Sequence, residues 1–228
     1  MVDDKSAISL IDQARPEYGI LKPMEHLDVP AVLEAIARLR IQLNDPISES
    51  EVATFEQKHG ILLPSDYREF LTRIGNGGEG PFYGVFPLGA MDDNFTMREW
   101  HENDGFVGTL SRPFAFEDEW NDISGMPDNH LLDQDAEAYD RQIEAFSSTY
   151  WSSELVNGAM PICHEGCALR IWLIVSGEQA GKLWEDRRSE YKGLKPVLLN
   201  DGSRATFSAW YKEWLDSCFA TSGQTDWR

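Results

Sequence analysis

Helical segments at both ends of the chain, short strand-like runs between them and no alternating strand–helix rhythm predict an α+β fold. The expected architecture is a twisted antiparallel sheet with helices packed on it. Size and composition agree with that class. The chain has 228 residues, of which 42% are hydrophobic and eight are Trp. A chain of this length buries roughly 70% of its unfolded surface, so it needs no disulfide or metal to hold a core.

Residues 1–28 mix charges with Pro16, Gly19 and Pro23 and show no sustained period, which predicts an N-terminal extension. Helical spacing begins at Val29, where Val32, Leu33, Ile36, Leu39 and Leu43 share a face until Asp45-Pro46. Ser48 and Glu51 form an S-x-x-E capping box, Ile47 and Val52 a hydrophobic staple, and Gly60 the C-terminal stop. A further helix starts near Pro64 with Tyr67, Phe70, Leu71 and Ile74 as its stripe, and ends in Gly75-Asn76-Gly77-Gly78. Strands are then expected over 82–88, 159–162, 169–175 and 182–186, with a short edge strand over 196–199. Phe207, Trp210, Tyr211, Trp214, Leu215 and Cys218 repeat with helical spacing, so the last element is an aromatic-faced helix. Residues 220–228 are read as a tail. Trp172, Trp184, Trp210 and Trp214 fall on core positions, whereas His26, His59, His101 and His130 are scattered.

Charge is concentrated in one place. From Asp92 to Glu144, fifteen Asp or Glu meet only Arg98, Arg112 and Arg141, which puts −12 of the formal −19 there. Phe106, Phe114, Phe116, Trp120 and Met126 lie in the same stretch, which predicts an ordered acidic insert over about 89–158, with its carboxylates in water. Such a surface repels phosphate backbones and anionic lipid, so direct nucleic-acid or membrane binding is not expected and a basic protein partner is. Three cysteines, an N-terminus without a cationic region and long apolar core, and the lack of a long apolar run predict a soluble, cytoplasmic protein.

Glu51 to Gly60, Leu63-Pro64-Ser65-Asp66-Tyr67, Phe70-Leu71 and Asn76-Gly77-Gly78 resemble the N-terminal signature of the SUKH superfamily. Arg112-Pro113-Phe114, Gly158-Ala159-Met160-Pro161-Ile162, Trp172-Leu173-Ile174-Val175-Ser176-Gly177 and Gly181-Lys182-Leu183-Trp184 look like its strand motifs. Residues 207–215 match its closing helix, so the resemblance spans about 29–219. That superfamily groups bacterial immunity proteins, which bind and silence polymorphic toxins, many of them nucleases, with a fungal regulator of cell-wall synthesis. The resemblance implies a single SUKH-like domain without a catalytic centre. The extension and the insert depart from a minimal member.

Three stretches carry residues that could serve other chemistry. Gly75-x-Gly77-x-x-Gly80 fits the dinucleotide pattern, but a helix precedes it and a strand is expected to follow, the reverse of what pyrophosphate binding needs. Cys163-His164-Glu165-Gly166-Cys167 offers zinc-type ligands, yet lacks the second pair that a closed site uses, and its acidic setting opposes a reactive thiolate. Paired acids such as Glu117, Asp118, Glu119 and Asp122 fit glycoside chemistry on paper, which leaves a small carboxylate-dependent hydrolase as one alternative. A regulatory interaction module is the other. The favoured reading has no cofactor, metal or catalytic residue: an immunity protein that occludes a toxin, a basic nuclease domain. Glu117, Asp118, Glu119, Asp122, Asp133, Asp135, Glu137 and Asp140 would steer the partner, and Trp120 would anchor it.

Overall fold

The computed structural model describes residues 27–93 and 96–222. All but the last two residues of the expected N-terminal extension lie outside them, as do residues 223–228 of the tail. Residues 220–222 continue the closing helix.

The helical layer comes from α1 (Val29–Leu39), α2 (Glu49–His59), α3 (Ser65–Arg73) and α6 (Phe207–Ser222). The capping box at α2 is complete: Ser48 Oγ accepts from the Glu51 amide while the Glu51 carboxylate accepts from the Ser48 amide, and Gly60 closes the helix in the left-handed conformation. Aromatic edges join α3 to α6, with Tyr67 and Phe70 each 4.9 Å from Phe207 and Phe70 5.0 Å from Tyr211. Asp66, buried at the start of α3, accepts at 2.9 Å from the Ser208 amide, so it also caps the first turn of α6.

Strands β3 (Ala159–Gly166), β4 (Leu169–Ile174), β5 (Leu183–Asp186) and β6 (Leu194–Pro196) form one antiparallel sheet in that order. Register places Met160, Cys163, Ile171, Leu173 and Leu183 on one face, and Pro161, Trp172, Ile174, Trp184 and Leu194 on the other. All ten are buried, so both faces are covered. The insert covers the second face: the Phe114 ring meets Trp184 edge-on at 4.8 Å. A separate hairpin, β1 (Ala90–Asp93) with β2 (Thr96–Glu99), opens the insert, and α4 (Asn129–Gln134) and α5 (Ala136–Tyr150) close it.

Three expectations need correction. Residues 82–88 are not a strand: the Gly84 amide bonds back to Pro81, and Phe82 and Gly84 take positive φ of 55° and 98°. The chain runs beside β3 through Tyr83, whose amide bonds to the His164 carbonyl, Val85, which bridges Cys163, and Phe86, whose amide bonds to Ile162. Leu43 is not on the first helix, because Arg40 turns left-handed and ends it, leaving Leu43 to bridge Gly78. The edge strand lies at 194–196, and 197–205 forms a further hairpin closed by Leu198 and Arg204.

Candidate partner-binding surface

The insert is built on a frame of buried ions and rings. Arg188, 4% exposed, makes a bidentate pair with Asp186 at 2.9 and 2.6 Å. Its remaining donor reaches the Tyr150 and Ser152 carbonyls, which fixes the C-terminal end of α5 over the sheet. Trp120 extends the sheet by exchanging backbone hydrogen bonds with Leu194 at 2.9 and 2.8 Å. Its ring is half-buried and stacks on Tyr150 at 5.5 Å, and Phe116 packs against it at 5.4 Å. At the other end of the insert, Asp92 joins His164 at 2.5 Å and Arg170 at 3.3 Å, and the buried His59 of α2 meets Glu102 at 3.4 Å. Burial pushes the His59 imidazole below its usual range, against the opposing charge of Glu102.

On this frame the eight expected steering carboxylates are all exposed, but they hold different jobs. Asp135 caps α5 by accepting from the Ala138 amide. Asp122 accepts from both the hydroxyl and the amide of Ser124, which hold its carboxyl below the usual range. Asp118 pairs with Arg204 at 2.9 Å, and Glu137 with Arg141 at 3.8 Å. Glu117, Glu119, Asp133 and Asp140 have no ion pair among the described residues. Two groups result. Residues 117–122 attach at the C-terminal end of α5, where Tyr150 donates to Asn121 at 2.7 Å. Residues 133–140 attach at its N-terminal end, and the ten residue steps from Asp140 to Tyr150 span about 15 Å of helix.

The model of the SMI1 / KNR4 family (SUKH-1) matches residues 46–192, more than half of the chain. The chain belongs to that family. No curated protein and no solved structure matches it. The matched span of this SUKH-1 chain takes in α2, α3, the whole insert and the sheet through β5. It leaves α1, β6 and α6 outside, although α1 and α6 pack with α3 in one core.

The Cys-His-Glu-Gly-Cys run of the SUKH-1 domain is dispersed by the fold. Cys163 is buried in β3, Cys167 is exposed in the β3–β4 turn, and His164 is taken up by Asp92. Burial, then the neighbouring Glu165, drives the Cys163 thiol upward, away from thiolate. Among the described residues no group of three or more His, Cys, Asp or Glu is placed to hold a metal ion. No helix among them is long and apolar enough to cross a membrane.

Glu165 stands beside Glu185, which is itself held by Lys195 at 3.0 Å and Arg187 at 3.4 Å. Glu165 Oε1 is buried without a hydrogen-bond partner among the described residues. Burial first, and the charge of Glu185 second, push this carboxyl up to about 7, against the opposing Arg187 and Lys195. A folded value above the ordinary 4.5 means that the native state holds this proton more tightly than the unfolded chain. The associated stability is therefore complete below pH 4.5 and is lost as pH rises through 7. Glu165→Gln should raise stability at pH 8 by about 1–2 kcal/mol, the full linkage being reduced for partial solvent exposure. It should change little at pH 4. Urea midpoints at the two pH values check this, and an equal or larger gain at pH 4 would contradict it.

Proposed function

We propose that this SUKH-1 chain is a non-catalytic binding domain that neutralises a cationic toxin, a nuclease, by covering the surface on which the toxin docks phosphates. Proteins of the family are generally non-catalytic binding proteins. The observation that carries the reading further is the insert's charge: a net −12 from Asp92 to Glu144, with most of its carboxylates in water. A nuclease gathers Lys and Arg where its substrate backbone lies. An acidic partner meets those cations with opposite potential, and such steering lifts association towards ~10⁸–10⁹ M⁻¹s⁻¹ at low salt. Occlusion then asks for no bond making, only a surface that stays attached. The reading has the chain act in the cytoplasm, where free Cys163, Cys167 and Cys218 stay reduced.

Co-expression tests it. The chain should restore growth to cells producing the toxin domain encoded in the adjacent reading frame, and should not protect against an unrelated nuclease toxin. Failure to protect against the adjacent domain refutes the reading. Tight binding without protection points instead to a regulatory interaction module.

A further inference from the structure

Between the two acid groups lies an apolar face that composition did not reveal. Ile123, Met126, Leu132 and Tyr191 are 44%, 36%, 48% and 42% exposed, so each large side chain leaves much of its surface in water. They are not scattered. The Met126 amide bonds to the Ile123 carbonyl at 3.0 Å, a turn that holds these two residues within about 7 Å. Gly125, inside that turn, lies against Phe146, where a Cβ built on it would stand 3.7 Å from the ring, and Gln142 of α5 bonds its carbonyl. Tyr191 approaches the same Phe146 at 6.2 Å and Tyr150 at 6.0 Å, and its carbonyl accepts from Asn121. Leu132 follows six residues after Met126, on α4, whose C-cap Asp135 is also the N-cap of α5.

Tyr191 has a further peculiarity. Its φ of 55° places a bulky residue in the left-handed region, where such residues are outliers, and the ring is nonetheless presented to solvent.

We infer that the Tyr191–Ile123–Met126–Leu132 face is the anchoring surface for the partner, and that the partner is a basic protein domain that seats an apolar or aromatic residue among its cations. The inference rests on the immunity reading and locates its interface. Charge complementarity selects the occupant. Asp122, Asp128 and Asp133 flank these side chains in the chain and are all exposed, while the neighbouring Lys192 is held by Glu190 at 3.0 Å. A second copy of this chain would bring the same acids against them, and nucleic acid would bring phosphates. The division of labour follows: the acids set the rate of encounter, and the desolvated apolar centre sets how long the complex lasts.

Calorimetric titration of the purified toxin domain from the adjacent reading frame, at 50 and 300 mM salt, tests the inference. Tyr191→Gly removes the ring and relieves the left-handed strain, so the melting temperature should hold within a few degrees while Kd rises about 10–30-fold. Ile123→Ser with Leu132→Ser should weaken binding by a similar factor, and should carry the test if the glycine variant fails to fold. Neither change should alter the salt dependence. Leu62→Ser, at a position 49% exposed in the α2–α3 connection, should leave Kd unchanged. If the chain binds and the face variants bind equally well, the inference is overturned and the immunity reading stands. If the unaltered chain does not bind, both fall.

Discussion

Arg188→Met should destabilise the fold by about 3–5 kcal/mol, the range found when one member of a buried ion pair is removed. The arginine is 4% exposed and its partner Asp186 is 7% exposed. Without the guanidinium, Asp186 keeps a buried charge matched, among the described residues, by the Arg188 amide at 3.1 Å, and the Tyr150 and Ser152 carbonyls lose this donor. The loss should show as a lower urea midpoint at pH 7. Adding Asp186→Leu to Arg188→Met should recover a good part of it, because an apolar pair no longer strands a charge. A single variant within 1 kcal/mol of the parent would mean that this pair does not hold α5 to the sheet.

Gly193→Ala should be nearly as damaging, for a steric reason. Gly193 has φ +68°, and a Cβ added there would stand 1.8 Å from the Trp120 carbonyl oxygen. The collision is with backbone, so no rotamer relieves it. The chain has to give up either the Trp120–Leu194 pairing or the hydrogen bond from the Gly193 amide to the Tyr150 hydroxyl. Strain of this kind costs about 1–3 kcal/mol at the position itself, and the broken contacts add to it. We expect a melting temperature lower by about 5–10 °C, at roughly 2–4 °C per kcal/mol for a chain of this size. Amide exchange should accelerate at 117–122 and along α5, with α2 and α3 unaffected. Uniform acceleration throughout the molecule would show that the insert does not dock as a separate layer.

These two positions mark what sequence can and cannot disclose. Elements whose causes are local were legible: the Ser48–Glu51 box, the stripe of α3, the alternation of β4 and the aromatic spacing of α6 all appear where local rules put them. The misreadings arose where a distant contact overrode a local pattern. Leu43 continues a helical period, yet Arg40, a good helix former, turns left-handed, and Leu43 instead pairs with Gly78. The apolar run at 82–88 looks like a core strand, but Phe82 and Tyr83 are 60% and 68% exposed around a turn. No local signal told that an oxygen of Trp120 occupies the space beside Gly193, or that Asp92 spans 72 residues to meet His164.

The surface was legible in part for the same reason. Acid content is a property of composition, so the insert stood out at once. Which acids are engaged is a property of the fold: Asp118 and Glu137 pair with Arg204 and Arg141, and Asp135 serves as a helix cap. Trp120, an expected anchor by residue type, is half-buried and packs on Phe116 and Tyr150. Exposure of Tyr191 and its neighbours depends on how α4, α5 and the β5–β6 connection come together, and hydropathy does not encode that.

The most direct test of the charge-steered encounter is the association rate with the adjacent toxin domain, measured by stopped flow across a salt series. The variant neutralises four exposed insert acids that make neither an ion pair nor a helix cap among the described residues, as Glu117→Gln, Glu119→Gln, Asp133→Asn and Asp140→Asn. The account predicts an on-rate that falls steeply with salt in the parent. In the variant it should be about tenfold slower at low salt and should fall less steeply across the series, with dissociation little changed. An on-rate equal to that of the parent, with the same dependence on salt, would contradict it.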